Sequence, residues 1–260
     1  FFAQNSTMEQ PYVHSTLENG IYIIEFYHPQ SNSLPGELLN KLADEITKGG
    51  TTDQAKCILL KSAGDRAFCA GASFDELVAI DTPEAGLSFF SGFAKVINAV
   101  RTCPKFVIGR VQGKAVGGGV GVASAMDYCF ATKHAAIKLS ELAIGIGPFV
   151  VGSAVERKMG TAAFTELSID ASEWRTAEWA CARGLYARTF DSAEQMDTEI
   201  EVFLKRIVNY SPEAMRELKS VFWEGTENWD KLLVDRAKIS GRLVLSEFTR
   251  SAINAFKTKS

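Results

Sequence analysis

Residues 105–126 read KFVIGRVQGKAVGGGVGVASAM, and they decide the fold class. Residues 105–111 form a nearly continuous apolar run, short enough to be a strand covered on both faces. From Gly117 to Met126 the side chains are small and apolar behind a glycine-rich start, so the order is strand, turn, helix. Free amides at a helix start, with the positive end of the helix dipole, stabilise negative charge on an oxygen, and glycines let that oxygen come close to the main chain. Two nucleotide motifs fail on this stretch. Gly113-Lys114 lacks the first-glycine spacing and the following Ser/Thr of a P-loop, and the glycines do not spell GxGxxG.

Working outward, residues 56–61 repeat the buried-strand pattern, and Ala63-Gly64-Asp65 then turns the chain. Residues 13–17 and 21–27 are β-rich runs around Glu18-Asn19-Gly20, and Asn-Gly supplies the positive φ of a tight hairpin. Between them and the buried strand, Leu38, Leu39, Leu42 and Ile46 recur at helical spacing over 35–48, with Gly49-Gly50 as the stop. A further helix spans 83–101. Downstream, 128–131 and 136–139 read as short strands. Beyond Pro148 the pattern is helical over 151–158, 161–167, 172–182, 192–209, 212–223 and 229–256. Strands joined through helices, followed by helices alone, predict an α/β fold: a core over residues 1–190 that holds the active site, and a helical C-terminal region over 191–260.

Bulk properties narrow the function. The 260 residues are 46% apolar and 23% charged, with five cysteines and a net charge of −3, and the basic residues are scattered. Nucleic-acid binding therefore lacks its electrostatic footprint. Four cysteines (Cys57, Cys69, Cys103, Cys129) lie in apolar runs, as buried thiols of a reducing compartment do; with Cys181 they form no CxxC or Cys/His spacing, so no metal site is expected. No apolar run reaches the roughly 18 residues of a spanning helix. The expectation is a cytoplasmic protein off the membrane, with Met8 as a candidate native start after residues 1–7.

Two further segments carry chemistry. Residues 66–77, RAFCAGASFDEL, hold small side chains from Cys69 to Ser73, and Gly71 can turn successive amides in one direction, as an oxyanion cradle needs. Read alone, this is more often a plain strand-to-helix turn. Residues 136–149, AIKLSELAIGIGPF, hold a lone carboxylate, Glu141, amid apolar neighbours. Desolvation raises a carboxylate's pKa toward neutrality, which suits a general base; a solvated or ion-paired glutamate is the alternative.

Taken together, AFCAGAS (67–73), KAVGGGVG (114–121) and SELAIGIGP (140–148) resemble, in order and spacing, the AFxAGAD, GGG and PEIxxG signatures of the crotonase (enoyl-CoA hydratase/isomerase) superfamily. The resemblance runs over essentially the whole chain. It implies a spiral of ββα units with a C-terminal helical region that builds homotrimers, often paired into hexamers. It implies that the amides of Ala72 and Gly118 receive the carbonyl oxygen of an acyl-CoA thioester, with coenzyme A entering only as part of the substrate and no separate cofactor. Arg66 and Lys257 become candidate contacts to CoA phosphate, and Ala70 the lining of the adenine side. The shared chemistry is an enolate whose charge is met by donors already in place, each contributing roughly 3 kcal/mol.

The sequence also departs from the pattern. Typical hydratases of the family carry a second glutamate two positions after the glycine triplet, where this chain has Gly121. A single base can move a proton between two carbons without a bound water, so the pattern is closer to enoyl-CoA double-bond isomerases. Hydration with altered carboxylates and a catalytically silent CoA-ester-binding member are the alternatives. Ser73 and Ser140 replace the usual Asp and Pro. His14, His28 and His134 lie outside the three segments, and Cys69, Asp75, Glu76 and Asp127 read as structural. Phe222, Trp223, Leu232 and Leu233 are expected to need cover from a neighbouring subunit.

Overall fold

The computed structural model describes residues 10–257, apart from the side chains of Phe256 and Lys257; Met8 and the residues before it lie outside this range. Strands β1 (Tyr12–Glu18) and β2 (Ile21–Tyr27) form the expected antiparallel hairpin, closed by Asn19 and Gly20 at φ 51° and 81°. Helix α1 (Gly36–Thr51) then leads to β3 (Cys57–Ser62), which lies parallel to β2.

From β3 onward the chain repeats one unit: a strand, a second shorter strand, and helix. The first repeat is β3, β4 (Ala67–Cys69), α2 (Phe74–Ala79) and α3 (Pro83–Thr102). The second is β5 (Val107–Val111), β6 (Lys114–Val116) and α4 (Gly118–Ala125). The third is β7 (Tyr128–Thr132), β8 (Ile137–Lys138), a 3₁₀ turn at Leu142–Ile144 and α5 (Phe149–Ile169). The leading strands join a six-stranded sheet ordered β1-β2-β3-β5-β7-β9, with β9 at Arg188–Phe190, parallel from β2 onward. The second strands form a separate parallel sheet, β4-β6-β8. This is the ββα spiral. The chain continues through α6 (Ala177–Ala182), and after β9 through α7 (Ala193–Ile207), α8 (Pro212–Phe222), α9 (Trp229–Leu243) and α10 (Glu247–Lys257).

Alternation along β3 shows why its apolar run is unbroken. Cys57 and Leu59 face Met196, Ile200, Leu204 and Ile207 of α7, while Ile58 and Leu60 face the main core with α1 and α3. Helix α9 lies on α3 so closely that a Cβ added to Gly86 would sit 2.7 Å from the Cα of Gly241. Asp127 ties α8 to the sheet: it accepts from Lys219 Nζ at 2.5 Å, Val107 N at 2.8 Å and Trp223 Nε1 at 3.2 Å, all out of water. Among the described residues no helix is long and apolar enough to cross a membrane.

Several expectations need correction. Gly49 and Gly50 do not stop α1, which runs to Thr51. They allow close packing instead, since a Cβ on Gly49 would come within 2.6 Å of the Tyr22 ring and one on Gly50 within 3.2 Å of Cys103. Residues 172–176 are not helical. Arg175 exchanges backbone bonds with Ile137 at the edge of the small sheet, and Thr176 then caps α6 by accepting from Trp179 N. The helix expected over 229–256 breaks after Leu243, and Ser246 accepts from Thr249 N at the start of α10. Trp223 and Leu233 need no cover from another subunit: they are 5% and 0% exposed within this chain. Leu232 is half-buried, and Phe222 stacks on Phe106 while remaining 42% exposed.

Candidate active site

Parallel neighbours end at the same edge, so β4, β6 and β8 deliver their trailing loops to one place. Ala72 comes after β4, Gly118 opens α4 after β6, and Glu141 stands on the turn after β8. Local backbone fixes each arrival. Gly71 takes φ 91°, its carbonyl accepts from Leu34 N at 2.8 Å, and a Cβ there would lie 2.8 Å from Val116 O and 3.5 Å from Gly118 N. The β4 loop and the head of α4 are therefore in contact at their main chains. Gly117 donates to Lys138 O at 2.8 Å and takes φ 51°; a Cβ there would lie 2.8 Å from Glu141 Oε1. Two amides of this edge, Ala72 N–H and Gly118 N–H, donate no hydrogen bond to any described residue.

Ala72, Gly118 and Glu141 all line one cavity of about 210 Å³. The rest of its wall is mainly apolar, with Phe89, Phe90 and Phe93 from α3 and Ile144, Ile146 and Phe149 beside Glu141. Among the lining residues Glu141 is the sole ionisable group. The residue as a whole is half-buried, yet its Oε2 is shut off from solvent and has no hydrogen-bond partner. Burial pushes the carboxyl up to about 7, only partly offset by its own backbone amide. A carboxylate balanced between its two protonation states near neutral pH can take up and return a proton.

Gly121 is packed, not open: a Cβ there would lie 2.5 Å from Cβ of Val151, a buried residue of α5 that also lines the cavity. Pro148, Phe149, Val150 and Val151 stand at the cavity wall and narrow it. Ala70 lines the cavity. Arg66 is exposed and outside the lining, and the side chain of Lys257 lies outside the described residues. Cys69 is wholly buried, and burial pushes its thiol up to about 12, away from nucleophilic use. Asp75 accepts from Gln30 Nε2, and Glu76 accepts from Gly36 N at the head of α1. His14 and His134 are exposed, and His28 is half-buried, its Nδ1 accepting from Gln30 N. Among the described residues no group of three or more His, Cys, Asp or Glu gathers as a metal site would need.

A larger groove of about 750 Å³ lies between α7 and the six-stranded sheet, but apart from Glu18 its charges are spent on one another. Lys61 pairs with Glu25 at 2.8 Å, Arg110 with Asp197 at 2.5 Å, and Lys205 with Glu201 at 2.6 Å. The aromatic lining from α3, and the contact between Gly117 and Glu141, were not legible in the sequence. The spacing of Phe89, Phe90 and Phe93 reads only as a buried helix face.

The family model described as enoyl-CoA hydratase/isomerase matches residues 16–254. The chain is 26% identical over 245 residues to a short-chain-enoyl-CoA hydratase of Clostridium acetobutylicum, covering 93% of each. It is 24% identical to a probable enoyl-CoA hydratase of Bacillus subtilis, covering 92% of this chain and 93% of that one. In fold it is similar to the crystal structure of enoyl-CoA hydratase from Bacillus halodurans, with TM-score 0.87 at 20% identity over 94% of this chain and 99% of the other.

Proposed function

The chain belongs to the enoyl-CoA hydratase/isomerase family, and on that premise we propose that it moves the double bond of an enoyl-CoA thioester with Glu141 as the single proton carrier. The observation that carries this reading is the solitary carboxylate: Glu141 is the one ionisable group on a cavity whose nearby Gly121 face is closed by Val151. Ionised Glu141 takes a proton from the carbon next to the thioester of a 3-enoyl substrate. Electrons then flow onto the thioester oxygen, and the charge is met by the amides of Ala72 and Gly118, which are otherwise without acceptors among the described residues. Protonated Glu141 returns the proton two carbons further on, leaving the 2-enoyl ester. An acyl chain would lie against Phe89, Phe90, Phe93 and Ile146. Arg66 remains a candidate for CoA phosphate at the surface.

Hydration is the second reading, supported by relatives named as hydratases. Incubating the protein with matched 3-enoyl- and 2-enoyl-CoA esters separates the two by product mass together with the ultraviolet absorbance of the conjugated 2-enoyl thioester. A shifted double bond at constant mass supports isomerisation, and a gain of one water from the 2-enoyl ester with no shift overturns it. Assembly as a trimer is proposed as well: Leu218, Val221 and Phe222 line one exposed stripe of α8. Sedimentation showing only monomer would contradict it.

A further inference from the structure

Isomerisation by one carboxylate demands that water stay away from the reacting carbons, and the head of α4 contains a device for that. Gly121 N donates to Gly117 O at 3.2 Å, so the two glycines stand one turn apart. A Cβ on the first would point to Glu141 Oε1 at 2.8 Å; a Cβ on the second would meet Cβ and Cγ1 of Val151, each at 2.5 Å. Val151 and Glu141 line the same cavity, the one against Gly121 and the other against Gly117. We infer that Val151 is a specificity-determining residue that sets the reaction by occupying the place from which water would reach the substrate.

The physical requirements of a bound water support this. An ordered water takes about 30 Å³ and needs two to four polar partners. One acceptor is present, since Glu141 Oε2 is buried without a partner. At the Gly121 face neither space nor a second polar partner is offered by Val151, which is apolar, 5% exposed and restricted at χ1 by its branching within α5. Replacing it by serine would remove two methyls, leave a water-sized recess and place a hydroxyl in it. A 2-enoyl ester could then be hydrated with full balance. Water oxygen bonds to the carbon two removed from the thioester carbonyl while its proton passes to Glu141, and the double-bond electrons move onto the thioester oxygen. Protonated Glu141 then protonates the neighbouring carbon, so that one water is added in all.

The inference rests on the isomerase reading, and the test keeps the two apart. Wild type, Val151→Ser and Val151→Ala are compared for folding by thermal melting, for binding of a saturated acyl-CoA by calorimetry, and for products from 2-enoyl- and 3-enoyl-CoA by mass. The expected result is a hydrated product at least tenfold more abundant, per substrate consumed, with the serine variant than with wild type, and a smaller gain with alanine, which opens the space without the hydroxyl. Either variant suffices if the other fails to fold. Folded, ester-binding variants that hydrate no more than wild type would overturn the role of Val151, as would a wild type that already hydrates efficiently with Val151 in place. A wild type inert toward 3-enoyl esters, whose serine variant nonetheless hydrates 2-enoyl esters, would sink the isomerase reading and leave the role of Val151 standing.

Discussion

Replacing Glu141 by glutamine should make this protein more stable above neutral pH while leaving stability in mild acid nearly unchanged. Burial holds the carboxyl at about 7 in the folded chain, against 4.5 for an ordinary glutamate. A carboxyl raised by folding favours the native state while protonated, so its contribution is fully present below the unfolded value and is lost as pH climbs through about 7. The gap between the two values corresponds to about 3 kcal/mol, of which about 2.5 kcal/mol opens between pH 5 and pH 8. Glutamine is close in shape to the protonated acid and does not titrate, so the variant escapes this loss. Urea unfolding of both proteins, at one protein concentration and several pH values, reads the difference directly. The variant's advantage should grow from pH 5 to pH 8. Two stability profiles that run parallel over that range would refute the claim that the Glu141 carboxylate is ionised at a cost against its apolar surroundings.

Other consequences are local. Gly117→Ala combines a positive φ with a Cβ 2.8 Å from Glu141 Oε1; it should cost about 1–3 kcal/mol of stability and, by displacing the carboxylate, on the order of 100-fold in kcat, measured by denaturation and steady-state turnover. Asp127→Ala strands Lys219, whose side chain is 3% exposed, and should cost roughly 3–5 kcal/mol in urea unfolding. Burial pushes the thiols of Cys57 and Cys69 up to about 12 and that of Cys129 up to about 11; at pH 8 a thiol reagent should label half-buried Cys181 in the native protein and reach those three only on unfolding.

Much of this arrangement is written in short-range sequence. The Asn19-Gly20 turn, the two-faced burial of β3 and β5 and the helical spacing of α1 and α3 are local properties, and the three site loops announce themselves by small residues and a solitary acid. The features that stayed hidden are non-local. Strands β4 and β6 have three residues each and β8 has two, too few to display a period, so the small sheet that aligns the three loops could not be seen in advance. Gly49-Gly50 carries the composition of a helix stop, but Tyr22, brought alongside by the hairpin, needs the space. Arg175 interrupts an apparently helical stretch because the edge of β8 offers it a backbone partner. Trp223 and Leu233 read as faces awaiting a neighbour, and only the approach of α9 to α3 shows that this chain covers its own core. Val151 is one valine among many until Gly121 is seen to lie against it.

The most direct test measures what Glu141→Gln does to turnover and to binding in the same preparation. On the proposed mechanism the carboxylate carries the proton while the amides of Ala72 and Gly118 and the apolar wall hold the ester, so kcat on enoyl-CoA should fall by roughly 100- to 10,000-fold with the dissociation constant of a saturated acyl-CoA little changed. Wild-type turnover in the glutamine variant would contradict the assignment of Glu141 as the base.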